Sequence, residues 1–302
     1  MSLLQTRCSI TAALMLAWTC CGCGLFEEGR FPPPTLNTLA PIPSWIGLSY
    51  EDVKLETSQE KPVFGWFIPA EGSKATVLIH HGAVTNRSFT FAHYSLLHEL
   101  GYNVMVYDYQ GFGENWNSAN LNTILSDANT ALSYLQQRTG SGTDRIILFG
   151  ISLGTLPAIA QAASSPDQVV GVILEGSFTI EIIPPWSLLL AGIIPWANAI
   201  DHAPQELDPT QYIDHITIPK LFLQSREDLV TPFSSAAQLC DLAIEPKQFV
   251  EVIGQHTLAV LHDPNYAEHL KTFLDDLATT NLAGWPGPVQ PVGKGLGRHC
   301  GK

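Results

Sequence analysis

The sequence predicts an α/β protein with a mostly parallel central sheet that is flanked by helices. Short apolar runs, typical of strands buried on both faces, alternate with longer segments of helical character. Such alternation produces parallel strands joined by helices that cover both faces of the sheet. With 302 residues, 45% of them hydrophobic, the chain is long enough for one such domain with a deep core, which we place at 46–280.

The sequence predicts eight strands and five helices. The first two strands, 51–57 and 62–69, alternate apolar and polar side chains and predict an antiparallel pair. The six buried strands that follow are 75–80, 103–107, 145–149, 169–174, 220–224 and 248–253. The helical segments are 91–100, 123–138, 153–163, 234–242 and 266–278. In a sheet of this kind, ligands bind beyond the carboxyl ends of the strands.

A strongly apolar stretch, 180–200, lies between the sixth and seventh predicted strands. Pro184, Pro185 and Pro195 interrupt it, and interior prolines disfavour a membrane-spanning helix. We therefore predict a short helical cap over about 178–212, whose apolar face lines a pocket for an acyl or aromatic group. Ordinary packing of this stretch against the sheet is the alternative.

The N-terminal residues have the features of an export signal. Arg7 precedes an apolar stretch, 10–18, which is shorter than the roughly 20 residues that a spanning helix requires. Cys20, Cys21 and Cys23 follow, and a cysteine in this place resembles a bacterial lipoprotein signal, in which the cysteine is lipidated. The sequence therefore predicts a cell-envelope protein attached to the membrane through one of these cysteines. Release as a soluble periplasmic or secreted protein is the alternative.

Two further segments lie outside the predicted domain. After the signal at 1–23, a proline-rich spacer covers 24–45, and the Gly- and Pro-rich residues 281–302 predict a disordered tail.

Composition excludes several classes of function. The formal net charge is −13 and no run of four basic residues occurs, which argues against a nucleic-acid partner. Cys240 and Cys300 are the only cysteines beyond the first cluster, so we expect no disulfide framework. Cys20 and Cys23 have no second Cys or His pair near them, and no metal or other cofactor is predicted.

The turn 150–154, with the sequence GISLG, predicts a nucleophilic serine at Ser152. A strand precedes this turn and a helix follows it, as in a nucleophile elbow. The backbone passes close to itself at so sharp a reversal, and Gly150 and Gly154 provide the missing side-chain bulk. Free N–H groups at the start of the helix favour the negative charge that develops during acyl transfer.

Two more polar residues follow strand ends and complete a catalytic set. Asp228 comes after strand 220–224, and His256 comes after strand 248–253. A serine hydroxyl needs a base to accept its proton, and an imidazole base needs a carboxylate to hold its tautomer. The order Ser152, Asp228, His256 therefore predicts a Ser-His-Asp triad.

Rivals exist for the acid and for the base. Glu175 closes strand 169–174 and is the second choice for the acid, and Glu227 adjoins Asp228. His262 competes with His256 as base, but we place it inside the helical segment that follows rather than at the strand exit.

On these motifs the chain resembles a serine-dependent α/β-hydrolase, and most of all the branch related to Bem46-like and serine-aminopeptidase-like proteins. The resemblance covers roughly 50–278 and includes the Asp228 loop. The other matching motifs are 80–83 (HHGA), 108–113 (DYQGFG), 150–154 (GISLG), 175–179 (EGSFT) and 254–256 (GQH).

The resemblance implies an oxyanion hole made by the backbone N–H groups of Ala83 and Leu153. Ala83 stands where relatives often carry asparagine, which leaves backbone donation intact. Gln110 stands where they often carry arginine, so no role can be copied from that arginine. The implied activity is hydrolysis of an ester, and the predicted cap pocket favours a small-molecule substrate with an apolar acyl group. A peptidase, a thioesterase and a non-catalytic binding protein of the same fold remain alternatives.

Overall fold

A computed structural model describes residues 39–57, 61–83, 85–115, 120–138, 145–164, 167–180, 204–279 and 300. Within these residues eight strands form one sheet, in the spatial order β1-β2-β4-β3-β5-β6-β7-β8. The strands are β1 (Glu51–Glu56), β2 (Pro62–Ile68), β3 (Thr76–His80), β4 (Asn103–Tyr107), β5 (Ile146–Ile151), β6 (Val169–Glu175), β7 (Lys220–Ser225) and β8 (Lys247–Val252). The α-helices are α1 (Phe91–Glu99), α2 (Leu121–Gln137), α3 (Thr155–Ser164), α4 (Phe233–Leu242), α5 (Ala259–His262) and α6 (Tyr266–Thr279).

The sheet is mostly parallel, as the alternation of strands and helices predicts. Strand β1 pairs with β2 and β2 pairs with β4 in antiparallel fashion, and the remaining pairs, from β4 and β3 through to β8, are parallel. The fold class expected from the sequence is therefore confirmed.

Two apolar cores lie on the two faces of the sheet. Neighbouring residues of β5 point to opposite sides, so Leu148 joins one core and Phe149 joins the other. Helices α2, α3 and α4 pack on the Leu148 side, and α1 and α6 pack on the Phe149 side. The result is a three-layer arrangement in which the strands are buried on both faces.

The parallel pairing brings the carboxyl ends of several strands to one edge. His80 at the end of β3 is in register with Gly150 of β5, and Glu175 at the end of β6 is in register with Leu223 of β7. Ser225 closes β7 opposite Val252 of β8. The loops that follow β3, β5, β6, β7 and β8 therefore leave the sheet at the same edge.

Most of the remaining predictions about segments lie outside the described residues. These include the signal at 1–23, most of the spacer and all of the tail except Cys300. Of the predicted cap, 181–203 is outside them, while Gln205–Leu207 and Pro209–Gln211 form short 3-10 turns. In the part of the chain that is described, no helix combines the length and the apolar character needed to cross a bilayer.

The expectation about disulfides is wrong for one pair of cysteines. Cys240 in α4 is bonded to Cys300, with Cα atoms 5.9 Å apart, and the backbone N–H of Cys300 donates to Asp241 Oδ1 at 2.8 Å. The two cysteines are 60 residues apart in sequence. Isolated cysteines at such a separation give no spacing pattern from which pairing can be deduced.

Candidate active site

Ser152 occupies a strained turn between β5 and α3. Residues Ser152–Gly154 form one turn of 3-10 helix, and the α-helix begins only at Thr155, two residues later than the sequence predicts. The backbone φ of Ser152 is +52°, in the left-handed region that side chains other than glycine rarely adopt. Strain of this kind clusters at functional sites, where the surrounding structure holds the residue in place.

The two glycines of the turn are required by close backbone approach. A Cβ atom on Gly150 would lie 2.6 Å from the carbonyl oxygen of Gly154, and one on Gly154 would lie 2.0 Å from the carbonyl oxygen of His80. No side chain fits at either distance. The turn therefore packs closely against the end of β5, which leads into it, and against the end of β3.

His256 lies in the loop after β8 and reaches the serine. Its Nε2 is 2.9 Å from Ser152 Oγ, and its side chain is 22% exposed, so the ring is open to the solvent side of the edge. The loop bends through Gly254, at φ +134°, and Thr257, at φ +53°. These two unusual backbone conformations lie on either side of His256 in the sequence.

Asp228 lies in the loop after β7 and holds the other ring nitrogen. Its Oδ2 is 2.8 Å from His256 Nδ1, and the carboxylate is 2% exposed. Its Oδ1 accepts hydrogen bonds from the backbone N–H groups of Val230 and Thr231, both at 2.8 Å. The structure thus brings the three side chains predicted from the sequence into one hydrogen-bonded chain.

The environment of Asp228 favours its ionised form. Burial raises the pKa of this carboxyl, but the hydrogen bond and charge of His256 and the hydrogen bonds from Thr231 outweigh burial and hold the pKa below its usual value. An ionised carboxylate stabilises the charged imidazole that forms when His256 takes a proton.

Two backbone segments that the sequence analysis assigned to an oxyanion hole lie next to Ser152. Leu153 directly follows the serine, at the start of the 3-10 turn, where the N–H groups lack partners within the helix. Ala83 follows Gly82, and a Cβ on Gly82 would lie 3.4 Å from Ser152 Cβ and 3.9 Å from Ser152 Oγ. The loop after β3 therefore runs beside the serine, as the resemblance implies for Ala83.

Two buried histidines, His80 at the end of β3 and His81 next to it, take no part in this chain of contacts. His80 Nδ1 lies 2.8 Å from the Tyr107 hydroxyl, and burial lowers the pKa of His80 to about 3. Burial also lowers the pKa of His81, although the nearby charge of Asp108 opposes it. Burial therefore favours the uncharged form of both rings, and the backbone of His80 lies close to Gly154 of the elbow.

The residues that the sequence offered as alternative acids and as an alternative base have other surroundings. Glu175 is buried, and its carboxylate is bonded to His93 and Tyr266. Glu227 and His262 are exposed. Gln110 is bonded to Asp127 of α2 through its backbone N–H at 2.9 Å and through its side-chain amide at 2.7 Å.

Sequence reasoning missed several residues that contact the triad. Thr231 Oγ1 donates to Asp228 Oδ2 at 2.7 Å, and Gln224 Nε2 donates to the carbonyl oxygen of Thr231 at 2.8 Å. Gly176, at φ +64°, packs so close that a Cβ there would lie 3.3 Å from His256 Cε1. An aspartate side chain often accepts a hydrogen bond from the backbone two residues on, but this local pattern does not reveal a contact with the hydroxyl of a following threonine.

Among the described residues, no group of three or more His, Cys, Asp or Glu side chains is arranged to hold a metal ion.

Comparison with known proteins agrees with the fold. The family described as "Serine aminopeptidase, S33" matches residues 71–211. The protein YfhR of Escherichia coli O157:H7 is 27% identical over 236 residues, which cover 75% of this chain and 81% of that protein. Protein bem46 of Schizosaccharomyces pombe is 26% identical over 219 residues, covering 69% of this chain and 70% of that protein.

Solved structures share the architecture. An esterase from Pyrococcus furiosus superposes with a TM-score of 0.68 at 18% identity, covering 82% of this chain and 98% of that one. A thermophilic esterase from Thermogutta terrifontis gives 0.58 at 20% identity, covering 76% and 100%. The chain has the α/β-hydrolase fold, and protein bem46 is among the proteins to which its sequence is similar. These comparisons support hydrolase activity.

Proposed function

We propose that this protein is a serine hydrolase that cleaves esters of apolar acyl groups and transfers the acyl group to water. The observation that carries the proposal is the continuous chain from Ser152 Oγ to His256 Nε2, at 2.9 Å, and from His256 Nδ1 to Asp228 Oδ2, at 2.8 Å. Both distances are within the range in which a base takes the proton of a nucleophile and a carboxylate orients the base.

The first half of the reaction forms an acyl-enzyme. Ser152 Oγ attacks the carbonyl carbon of the ester while its proton moves to His256 Nε2. The negative charge on the carbonyl oxygen is stabilised by the backbone N–H groups of Ala83 and Leu153 and by the start of α3. The tetrahedral intermediate then expels the alcohol, which takes the proton from His256 Nε2.

The second half returns the enzyme to its starting state. A water molecule attacks the acyl carbon and gives its proton to His256 Nε2, and the new intermediate expels Ser152 Oγ, which recovers that proton. Asp228 keeps the proton of His256 on Nδ1 throughout and stabilises the charged ring. No cofactor is needed for either half.

Labelling with a fluorophosphonate probe tests the nucleophile. We expect the parent protein to be labelled on Ser152 and Ser152→Ala to remain unlabelled, with peptide mass spectrometry identifying the residue. A folded parent that is not labelled would reject catalysis and favour a binding protein of the same fold.

A series of p-nitrophenyl esters of increasing acyl length tests the apolar substrate class. We expect kcat/KM to rise with chain length, because each buried methylene contributes about 0.8 kcal/mol, or roughly fourfold. Equal activity across the series would reject an apolar acyl pocket.

Peptide hydrolysis is the second candidate, because the matching family is described as a serine aminopeptidase. Aminoacyl p-nitroanilides assayed beside the esters distinguish the two activities. A kcat/KM for an anilide above that for every ester would make the peptidase the better assignment.

We also propose that the protein is exported and is attached to the envelope membrane through a lipidated cysteine. The N-terminal sequence supports this, and so does the Cys240–Cys300 disulfide, because disulfides persist mainly in oxidising compartments. Mass spectrometry of the mature N-terminus is the test. An unmodified N-terminal residue would exclude the lipid anchor, and a chain that keeps Met1 would exclude export.

A further inference from the structure

The hydroxyl of Thr231 contacts two members of the triad at once. Thr231 Oγ1 lies 2.7 Å from Asp228 Oδ2 and 3.3 Å from His256 Nδ1. The residue is 1% exposed, so water cannot easily take the place of its hydroxyl. No step of the proposed reaction uses this group.

We propose that Thr231 is a positioning residue that holds Asp228 and His256 in the alignment needed for proton transfer. This inference rests on the proposed function of the site and adds to it a fourth side chain.

The protonation states fix which group donates in each contact. An ionised carboxylate only accepts hydrogen bonds, so the hydroxyl of Thr231 donates its proton to Asp228 Oδ2. The base must keep Nε2 free to accept from Ser152, so the ring proton of His256 is on Nδ1. That Nδ1–H then faces Asp228 Oδ2, at 2.8 Å, and more weakly the oxygen of Thr231.

The surroundings of Thr231 leave it little freedom to move. Its backbone N–H donates to Asp228 Oδ1, and its carbonyl oxygen accepts from Gln224 Nε2. On the other side, a Cβ on Gly176 would lie 3.4 Å from Thr231 Oγ1 and 3.3 Å from His256 Cε1. The hydroxyl is thus held between the turn that carries the acid and the ring of the base.

Three variants separate positioning from packing. Thr231→Val keeps the shape and removes the hydroxyl, and Thr231→Ser restores it. Thr76→Val makes the same chemical change at another buried threonine, whose hydroxyl accepts from Asn103 Nδ2 at the far end of β3. Thermal melting of each variant checks that it is folded.

We expect Thr231→Val to lower kcat about fivefold to tenfold with KM nearly unchanged, because the lost hydrogen bond acts on proton transfer rather than on binding. Thr231→Ser should recover most of this loss, and Thr76→Val should keep the parent kcat. Equal kcat in the parent and Thr231→Val, no rescue by serine, or an equal loss in Thr76→Val would each overturn the proposal.

A second measurement does not depend on activity. The ring N–H proton of His256, identified in NMR spectra by its loss in His256→Gln, should shift or exchange faster in Thr231→Val and match the parent in Thr231→Ser. An unchanged signal in Thr231→Val would overturn the positioning role. If the parent proves inactive while the signal still depends on Thr231, the proposed function fails and the positioning role stands.

Discussion

Glu175 Oε2 lies 2.9 Å from His93 Nε2, and the same oxygen accepts a hydrogen bond of 2.5 Å from the hydroxyl of Tyr266. The three side chains come from β6, α1 and α6, and all are buried. The carboxylate that the sequence offers as an alternative acid is therefore engaged by other partners, and Asp228 is the carboxylate bonded to His256.

This arrangement predicts opposite effects for the two carboxylates. Glu175→Ala should lower the free energy of unfolding by about 2–4 kcal/mol, because it leaves His93 and Tyr266 without their buried acceptor, yet keep kcat within about tenfold of the parent. Asp228→Ala should lower kcat by about 10³- to 10⁴-fold, because the base loses the group that orients it. Urea unfolding and ester hydrolysis measure the two quantities. A folded Glu175→Ala as inactive as Asp228→Ala would make Glu175 the acid.

Placement at strand ends does not by itself decide which of these two carboxylates is the acid of the triad. Glu175 and Asp228 both follow strand ends, so the rule that places ligands at the carboxyl edge admits both. The loop conformations around Asp228 and His256, including the left-handed Thr257, decide which carboxylate meets the ring. Such conformations depend on tertiary packing and leave no periodic pattern in the sequence.

Local patterns, in contrast, predicted the strands and the elbow well. The predicted strand 103–107 agrees with β4 residue for residue, because the apolar run 104–107 is typical of a buried strand. The glycines of GISLG predicted a close approach of the backbone, which the structure contains. The Cys240–Cys300 bond and the contacts of Thr231 join residues by side-chain proximity, which neither spacing nor composition reveals.

The positive φ of Ser152 predicts a cost in stability that glycine would relieve. Ser152→Gly and Ser152→Ala should both be inactive, but Ser152→Gly should be about 1 kcal/mol more stable than Ser152→Ala, because alanine keeps the left-handed strain and glycine does not. Urea midpoints of the two variants give the comparison. A more stable alanine variant would mean that the backbone at this residue is not strained in solution.

The contact between Gly154 and the end of β3 predicts that a single methyl group disrupts the elbow. Gly154→Ala would place Cβ 2.0 Å from the carbonyl oxygen of His80, so we expect a loss of more than about 3 kcal/mol or a failure to fold. Gly72→Ala is the matched control, since Gly72 has a positive φ of +63° but open space around its Cβ position, and should lose only about 1 kcal/mol. Equal stability of the two variants would show that the elbow yields more easily than the structure implies.

The buried carboxyl of Asp127 predicts that protein stability depends on pH, and replacing it with the amide of asparagine should remove this dependence. Burial raises the pKa of this carboxyl to about 6, although hydrogen bonds from the side chain and backbone of Gln110 and from Thr123 oppose the rise. Because the folded pKa lies above the usual value of 3.8, the folded state binds a proton more tightly than the unfolded state. The stability contributed by Asp127 therefore falls as pH rises from about 4 to about 6.

Asp127→Asn lacks this titration, and it keeps its contacts if the side-chain amide of Gln110 rotates to exchange its oxygen and nitrogen. Relative to the parent, it should therefore gain on the order of 2–3 kcal/mol in unfolding free energy between pH 4 and pH 7. Urea unfolding across this range measures the difference, and Asp52→Asn, the same substitution at an exposed position of β1, controls for net charge. A difference that stays constant or shrinks as pH rises would mean that Asp127 is already ionised at low pH, with Gln110 and Thr123 outweighing burial.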